Sequence, residues 1–222
     1  MKHISVKIIV IVGLFFIGCT SSNNNTTKSI NQEKKLPYIG EMEFDYDEND
    51  NIIDTIFHTI PNFEFLAHDS SLITSETVKG KIYVADFFFT SCPSICPKMT
   101  NNMQDLHDRT KDVDGLMFLS HTVDPERDSI PVLNEYIKNK NINTGDNWFF
   151  LWAPQGYTYE IGKYGYLINA DVDPKAEGGF LHSEHFVLID KEGRIRGMYE
   201  GTEKSKIDQL EKDIRKLVKE YE

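Results

Sequence analysis

The sequence predicts an α/β domain: a central mixed sheet flanked by helices, with an extra strand segment on its N-terminal side. Three observations carry that expectation. KIYVADFFFT, residues 81–90, is apolar on both parities apart from Asp86, which suits a strand covered on both faces. Two stretches, ERDSIPVLNEYIKNK and TEKSKIDQLEKDIRKLVKEYE, space their apolar residues at helical intervals. Strand-like and helix-like stretches then alternate along the chain, the order that builds layered sheets. With 222 residues, 40% of them hydrophobic, there is material for one ordinary core and too little for two large ones.

Taken in order, residues 41–60 are acidic and then alternate, and IIDTIFHTI reads as an extended segment. PNFEFLAHDSSLITSETVKGK reads as two short strands around a polar turn. The central strand follows at residues 81–90. Next come Cys92 and Cys96, at the strand-to-helix turn or in the first helical turn, where Pro93 and Pro97 are tolerated because a first turn needs no backbone donor. Met99, Met103 and Leu106 mark the helix that follows, with His107 expected on its solvent side. GLMFLSHTVD is a second strand. Ser129 and Pro131 start a second helix, whose apolar face is Leu133, Tyr136 and Ile137. NWFFLWAP reads as a strand, and residues 155–181 as a short helix and a Gly-rich loop. HFVLIDKEGRIRGMYEG reads as a β-hairpin about a KEG turn. The last helix carries an inner stripe of Ile207, Leu210, Ile214, Leu217 and Tyr221. Strand, cysteine turn, helix, strand, helix, hairpin and closing helix is the order of the thioredoxin-like fold.

The N-terminus reads differently. Residues 1–18 have a positive start in Lys2 and Lys7, then ten uncharged apolar residues from Ile8 to Ile17. A bilayer-spanning helix needs about 20, so this is a leader rather than a span. Cys19 follows in FFIGCTSS, which resembles a bacterial lipobox whose cysteine is lipidated; Phe16 stands where that pattern prefers Leu. A plain secretory signal with an incidental cysteine is the alternative. Residues 19–35 are polar and too poor in apolar side chains to fold, which suits a flexible tether, with the domain occupying 36–222. The expected place is outside the cytoplasm, on a bacterial membrane through the lipid, with the domain facing the periplasm. The net charge is −11, and loss of the leader makes it two units more negative. Such a chain has no electrostatic basis for holding nucleic acid.

Of three cysteines, Cys92 and Cys96 remain for chemistry if Cys19 carries lipid. Their loop is too short for a major structural staple. On a regular helix, residues four apart have Cβ atoms about 5–6 Å apart, whereas a disulfide wants about 3.8 Å. Oxidation is therefore possible with deformation. Chelation is easier, since two metal–sulfur bonds of about 2.3 Å tolerate sulfurs roughly 4 Å apart. Two thiolates suit Cu(I) or Zn(II), and a histidine is the expected third ligand. His121 ends a strand near the cysteine edge and is a candidate outer residue. His182 and His185, three apart, would point to opposite faces of an extended strand, and position alone does not choose between them. Asp86, six residues before Cys92, reads either as a proton acceptor for the thiols or as a polar strand-end residue with a partner.

From about residue 60 onward the chain resembles the Sco/SenC family of exported thioredoxin-like copper proteins. GKIYVADFFFTSCPSICPKM fits its strand and C-x-x-x-C-P, TVDPERDSIPVLNEY its D-P-x-R-D loop, and HSEHFVLIDKEG its H-S-x-x-x-x-L-I-D-x-x-G. The resemblance implies copper, as Cu(I) or Cu(II), held by Cys92, Cys96 and His182; the histidine eleven residues before Gly193 is His182, not His185. It implies delivery of copper to the binuclear centre of cytochrome oxidase subunit II or a related acceptor, or preparation of that acceptor's cysteines. A thiol reductant or another copper carrier would serve it. Asp124, Arg127 and Asp128 match the D-P-x-R-D loop, as outer-sphere residues or as a loop-fixing ion pair and helix start. Asp86 and His185 depart from many relatives and point toward thiol chemistry. An exported thiol–disulfide oxidoreductase, and a copper or redox sensor, therefore stay beside the chaperone reading.

Overall fold

The computed structural model describes residues 35–168, 170–172 and 180–222, with side chains described outside 169–182. The leader, Cys19 and the tether lie outside the described residues, apart from Lys35. So does the His182 side chain. Within the described residues no helix is long and apolar enough to cross a membrane.

In chain order the elements are β1 (Met42–Tyr46), β2 (Ile52–Phe57), β3 (Glu64–Ala67), β4 (Leu72–Thr74), α1 (Ser75–Val78) and β5 (Tyr83–Phe88). There follow α2 (Ile95–Arg109), β6 (Met117–Thr122), α3 (Ile130–Asn139), β7 (Trp148–Trp152), α4 (Gln155–Glu160) and a π-helical turn, Ile161–Gly165. The chain closes with β8 (Ala170–Val172), β9 (Phe180–His182), β10 (His185–Ile189), β11 (Ile195–Glu200) and α5 (Lys204–Lys219). Seven strands form one mixed sheet in the order β11-β10-β5-β6-β7-β3-β4, while β1–β2 and β8–β9 are separate two-stranded hairpins. This is the thioredoxin-like α/β architecture that the element order predicts.

The strand with apolar residues on both parities takes the place that pattern requires. β5 is buried along its whole length, between antiparallel β10 and parallel β6. Its two faces meet different layers. On one, Phe88 packs against Tyr136 of α3, and the neighbouring Phe118 and Trp148 receive His107 of α2. On the other, Phe87 stacks on His121 and meets Tyr166, which follows the π turn. α5 lies beside α2, joined to it by the Arg109 guanidinium, which pairs with Asp208 at 2.8 Å and with Glu211. Ile207, Leu210, Ile214 and Leu217 are fully buried, as their spacing predicts. Tyr221 lies past the helix end, packs half-buried against the same core and accepts a hydrogen bond from Arg194 at 3.3 Å.

The hairpin of β10 and β11 turns through Gly193, whose φ of 78° is the left-handed conformation that a glycine adopts without strain. Beneath it, the buried Arg196 guanidinium reaches Asp190 at 3.1 Å, Glu220 at 2.7 Å and the Leu36 carbonyl at 2.8 Å. Its plane also covers the Tyr38 ring, 4.3 Å from the centroid. One side chain thus gathers the first described residues, the hairpin and the last helix.

His107 corrects the sequence reading. It is buried, its Nε2 is hydrogen-bonded to Asn147 Oδ1 at 2.8 Å, and it meets Phe118 edge-on. It stands four residues after Met103, one turn further along the face that packs on the sheet.

Candidate metal and thiol site

β5, β6 and β7 run parallel, so their C-terminal ends share one edge of the sheet, the usual ligand-binding edge of such sheets. The cysteines leave that edge. Cys92 lies in the loop after β5, its N–H donating to the Phe89 carbonyl at 3.2 Å. Cys96 is the second residue of α2, and its N–H donates to Cys92 Sγ at 3.5 Å. Both are reduced thiols and both are buried, Cys92 with 7% exposure and Cys96 with 1%. The hydrogen bond with Cys92 pushes the Cys96 thiol pKa well up, and burial adds to it. A helix start favours a thiolate, but here the neighbouring sulfur and the loss of water outweigh it.

Asp86 faces the α2 side of the sheet. Trp148 Nε1 donates to Ser120 Oγ at 2.9 Å, and Ser120 Oγ donates to Asp86 Oδ1 at 2.5 Å. The carboxylate is close enough to contribute to the rise of the Cys96 thiol. Tyr136, hydrogen-bonded to Thr100 Oγ1 at 2.8 Å, borders the same region. Burial raises its phenol pKa, with smaller contributions from Cys96, Asp86 and Cys92.

His121 is placed elsewhere. Its ring sits on the opposite face of the sheet, stacked on Phe87 at 4.7 Å and edge-on to Phe65 at 4.8 Å. Its Nδ1 is 3.3 Å from the Asp86 carbonyl, and burial lowers its pKa to about 4. It is a neutral core residue.

The D-P-x-R-D loop follows β6 on the cysteine edge. The buried Asp124 pairs with the exposed Arg127 at 3.6 Å, and Arg127 Nη1 also reaches Ser91 Oγ at 3.2 Å. Burial and the neighbouring Asp128 raise the Asp124 carboxyl above its ordinary value. Asp128 is fully buried. Its Oδ2 accepts from the Thr90 N–H at 3.0 Å and from Thr122 Oγ1 at 2.6 Å, and its Oδ1 accepts from the Thr90 hydroxyl. Thr90 immediately precedes Ser91 and Cys92, so this loop holds the cysteine loop in place. No sequence signal linked Thr90 or Thr122 to Asp128. Ser120 and Trp148 were findable, since strand parity places both on the Asp86 face.

His182 ends β9, and its backbone is paired with Ala170 of β8. His185 begins β10, with Ser183 and Glu184 outside any strand. The alternation argument therefore does not apply to this pair. His185 is exposed, and its Nδ1 is 2.8 Å from Ser183 Oγ. Because β10 runs antiparallel to β5, it starts beside the end of β5 that leads to Cys92. A short bonded chain fixes that start: Gly201 N–H donates to the Glu184 carbonyl at 2.6 Å, and Asn102 of α2 donates to the Gly201 carbonyl at 2.8 Å. The segment just after His182 is thereby tied to the cysteine helix. Among the described residues, no group of three His, Cys, Asp or Glu side chains could hold a metal ion.

Comparison with known proteins gives concordant matches. The SCO1/SenC family model matches residues 54–219. A SCO1 protein homolog of Bacillus subtilis is 31% identical over 169 residues, 74% of this chain and 85% of that protein. Among solved structures, a SCO1/SenC family lipoprotein from Bacillus anthracis is 29% identical with a TM-score of 0.66, covering 72% of this chain and 95% of that one. BsSco, described with a disulfide switch and as a member of the Sco family of cytochrome c oxidase assembly proteins, is 28% identical with a TM-score of 0.64, over 72% of this chain and 93% of its own.

Proposed function

This chain belongs to the SCO1/SenC family, and on that premise we propose that it binds copper and serves the assembly of cytochrome c oxidase. Cys92 and Cys96 hold the ion, His182 is the third ligand, and the cargo passes to the binuclear copper site of subunit II or a related acceptor. The observation that carries the reading is the sulfur pair itself. Two reduced, buried thiols stand side by side at a helix start, one accepting the other's backbone N–H at 3.5 Å. Two soft donors so placed can close on one soft ion, and an imidazole widens the set to Cu(II). Three protein ligands leave a position at which an acceptor's ligand can attack.

Loading is coupled to proton release. Metal-binding cysteines act as thiolates, and the Cys96 thiol, raised by Cys92 and by burial, keeps its proton until a cation compensates the charge. Uptake therefore strengthens as pH rises. The leader pattern and Cys19 support an anchored domain outside the cytoplasm, as does the description of the Bacillus anthracis relative as a lipoprotein.

Asp86 favours a second reading. A buried carboxylate beside Cys96 can take part in thiol proton transfer, as an exported thiol–disulfide oxidoreductase would require. One titration separates the two. The reduced full chain is titrated with Cu(I) against a chromophoric chelator, beside His182→Ala and a Cys92→Ser/Cys96→Ser double variant. The double variant should lose stoichiometric uptake. His182→Ala should weaken it by at least about tenfold, the scale on which loss of even an outer-sphere partner acts, with free thiol content unchanged. Uptake indifferent to His182, together with rapid reduction of a model disulfide, would select the oxidoreductase.

A further inference from the structure

We propose that the Asp128 carboxylate holds the Cys92–Cys96 pair in its dithiol form, so that this residue sets the thiol–disulfide equilibrium of the site. The inference rests on the reading of these two cysteines as the working centre and deepens it toward regulation.

The geometry is that of a clamp. Cys96 belongs to α2 and moves with a helix of 15 residues packed on the sheet. Cys92 belongs to the loop, so closing a disulfide means moving the loop. That loop is fastened two residues earlier, where Asp128 takes both the N–H and the hydroxyl of Thr90 and ties them to Thr122, the last residue of β6. Asp128 is itself fixed, with its N–H on the Asp124 carbonyl at 2.8 Å. The two thiols stand at hydrogen-bonding separation across the loop–helix junction, whereas a disulfide needs the sulfurs about 2 Å apart with Cβ atoms about 3.8 Å apart. The clamp resists the displacement that would make up this difference, and leaves the pair set for an ion.

The redox step is balanced with glutathione disulfide as oxidant. The thiolate of Cys92, the more exposed of the two, attacks one sulfur of the oxidant, forming a mixed disulfide and releasing one glutathione thiolate. The Cys96 thiolate then attacks the Cys92 sulfur, forming the Cys92–Cys96 bond and releasing the second. The two protons lost by the protein go to the two glutathione thiolates.

The test equilibrates the metal-free full chain with glutathione redox mixtures and counts free thiols after acid quench and alkylation. Asp128→Asn retains shape but replaces one accepting oxygen by a donor. It should move the equilibrium about tenfold toward the disulfide, or about 30 mV for this two-electron couple. Thr90→Val, which loses the hydroxyl and keeps the N–H, should move it less and in the same direction. Thr90→Ser should stay at the wild-type value. Should Asp128→Asn fail to fold, the Thr90→Val and Thr90→Ser pair carries the test alone. Equilibria within about twofold of wild type in Asp128→Asn and Thr90→Val, or a shift toward the dithiol, would overturn the proposal. Because no metal is present, a chain that ignores Cu(I) in the earlier titration would sink the copper reading and leave this result standing.

Discussion

His121 offers a quantitative test of the fold's interior. The ring is fully buried in the sheet between Phe87, Phe65 and Tyr166. Burial lowers its pKa to about 4, from about 6.5 for an unperturbed imidazole. In the unfolded chain the ring takes up a proton as pH drops through about 6.5, while in the folded protein it stays neutral until about 4. Its contribution to stability is therefore complete above the unfolded value and is lost as pH falls toward the folded one. Integrating between about pH 7.5 and about pH 5, where most carboxylates stay ionised, gives a loss of about 2 kcal/mol. His68, whose pKa burial also lowers, acts in the same direction, so the comparison must be with a variant. His121→Phe keeps an aromatic ring in the stack and removes the titration. Urea denaturation of both proteins at the two pH values measures the difference. Wild type should lose about 2 kcal/mol more than the variant across that window. If the two proteins lose the same amount, His121 is not the neutral core group described, and the reasoning fails.

Two further outcomes are expected. Arg196→Met should cost about 3–5 kcal/mol in chemical denaturation, because Asp190 and Glu220 would lose a partner buried with them at 3.1 and 2.7 Å. Gly201→Ala should weaken Cu(I) uptake in the chelator competition without touching a ligand. Its Cβ would lie 2.8 Å from Phe186 Cε1 and 3.0 Å from the Glu184 carbonyl, displacing the backbone that leads from His182 into β10.

What the sequence made legible was mainly local periodicity. β5 could be read because a strand paired on both sides and covered on both faces tolerates almost nothing polar, and α5 because one stripe meets one surface. Asp86 broke the apolar run visibly; its partner Ser120, and the Trp148 that donates to Ser120, come from other strands 34 and 62 positions on, so parity within each strand offers a face but not the pairing. His107 was misplaced because a histidine among polar neighbours looks solvated until the helix face is counted out from Met103. The acidic run before residue 52 showed its charge but not that it pairs with the alternating segment as β1 and β2. The D-P-x-R-D loop suggested an ion pair, which exists between the buried Asp124 and the exposed Arg127. The deeper role fell to Asp128, through hydroxyl partners at the end of β6 and in the turn after β5. The choice of His182 over His185 came from family resemblance; spacing alone left it open.

The bond from Asn102 to Gly201, and from Gly201 to Glu184, has a practical corollary for anyone fusing a reporter to this protein. Lengthening the connection between β11 and α5 would slacken the strap that joins the cysteine helix to the start of β10, so even a small insert there should disturb ion uptake. The tip of the first hairpin, Asp47–Asn51, holds its shape through its own Asp47 side chain and is exposed or nearly so throughout. A fluorophore or epitope placed there would report on the protein while leaving the sulfur pair undisturbed.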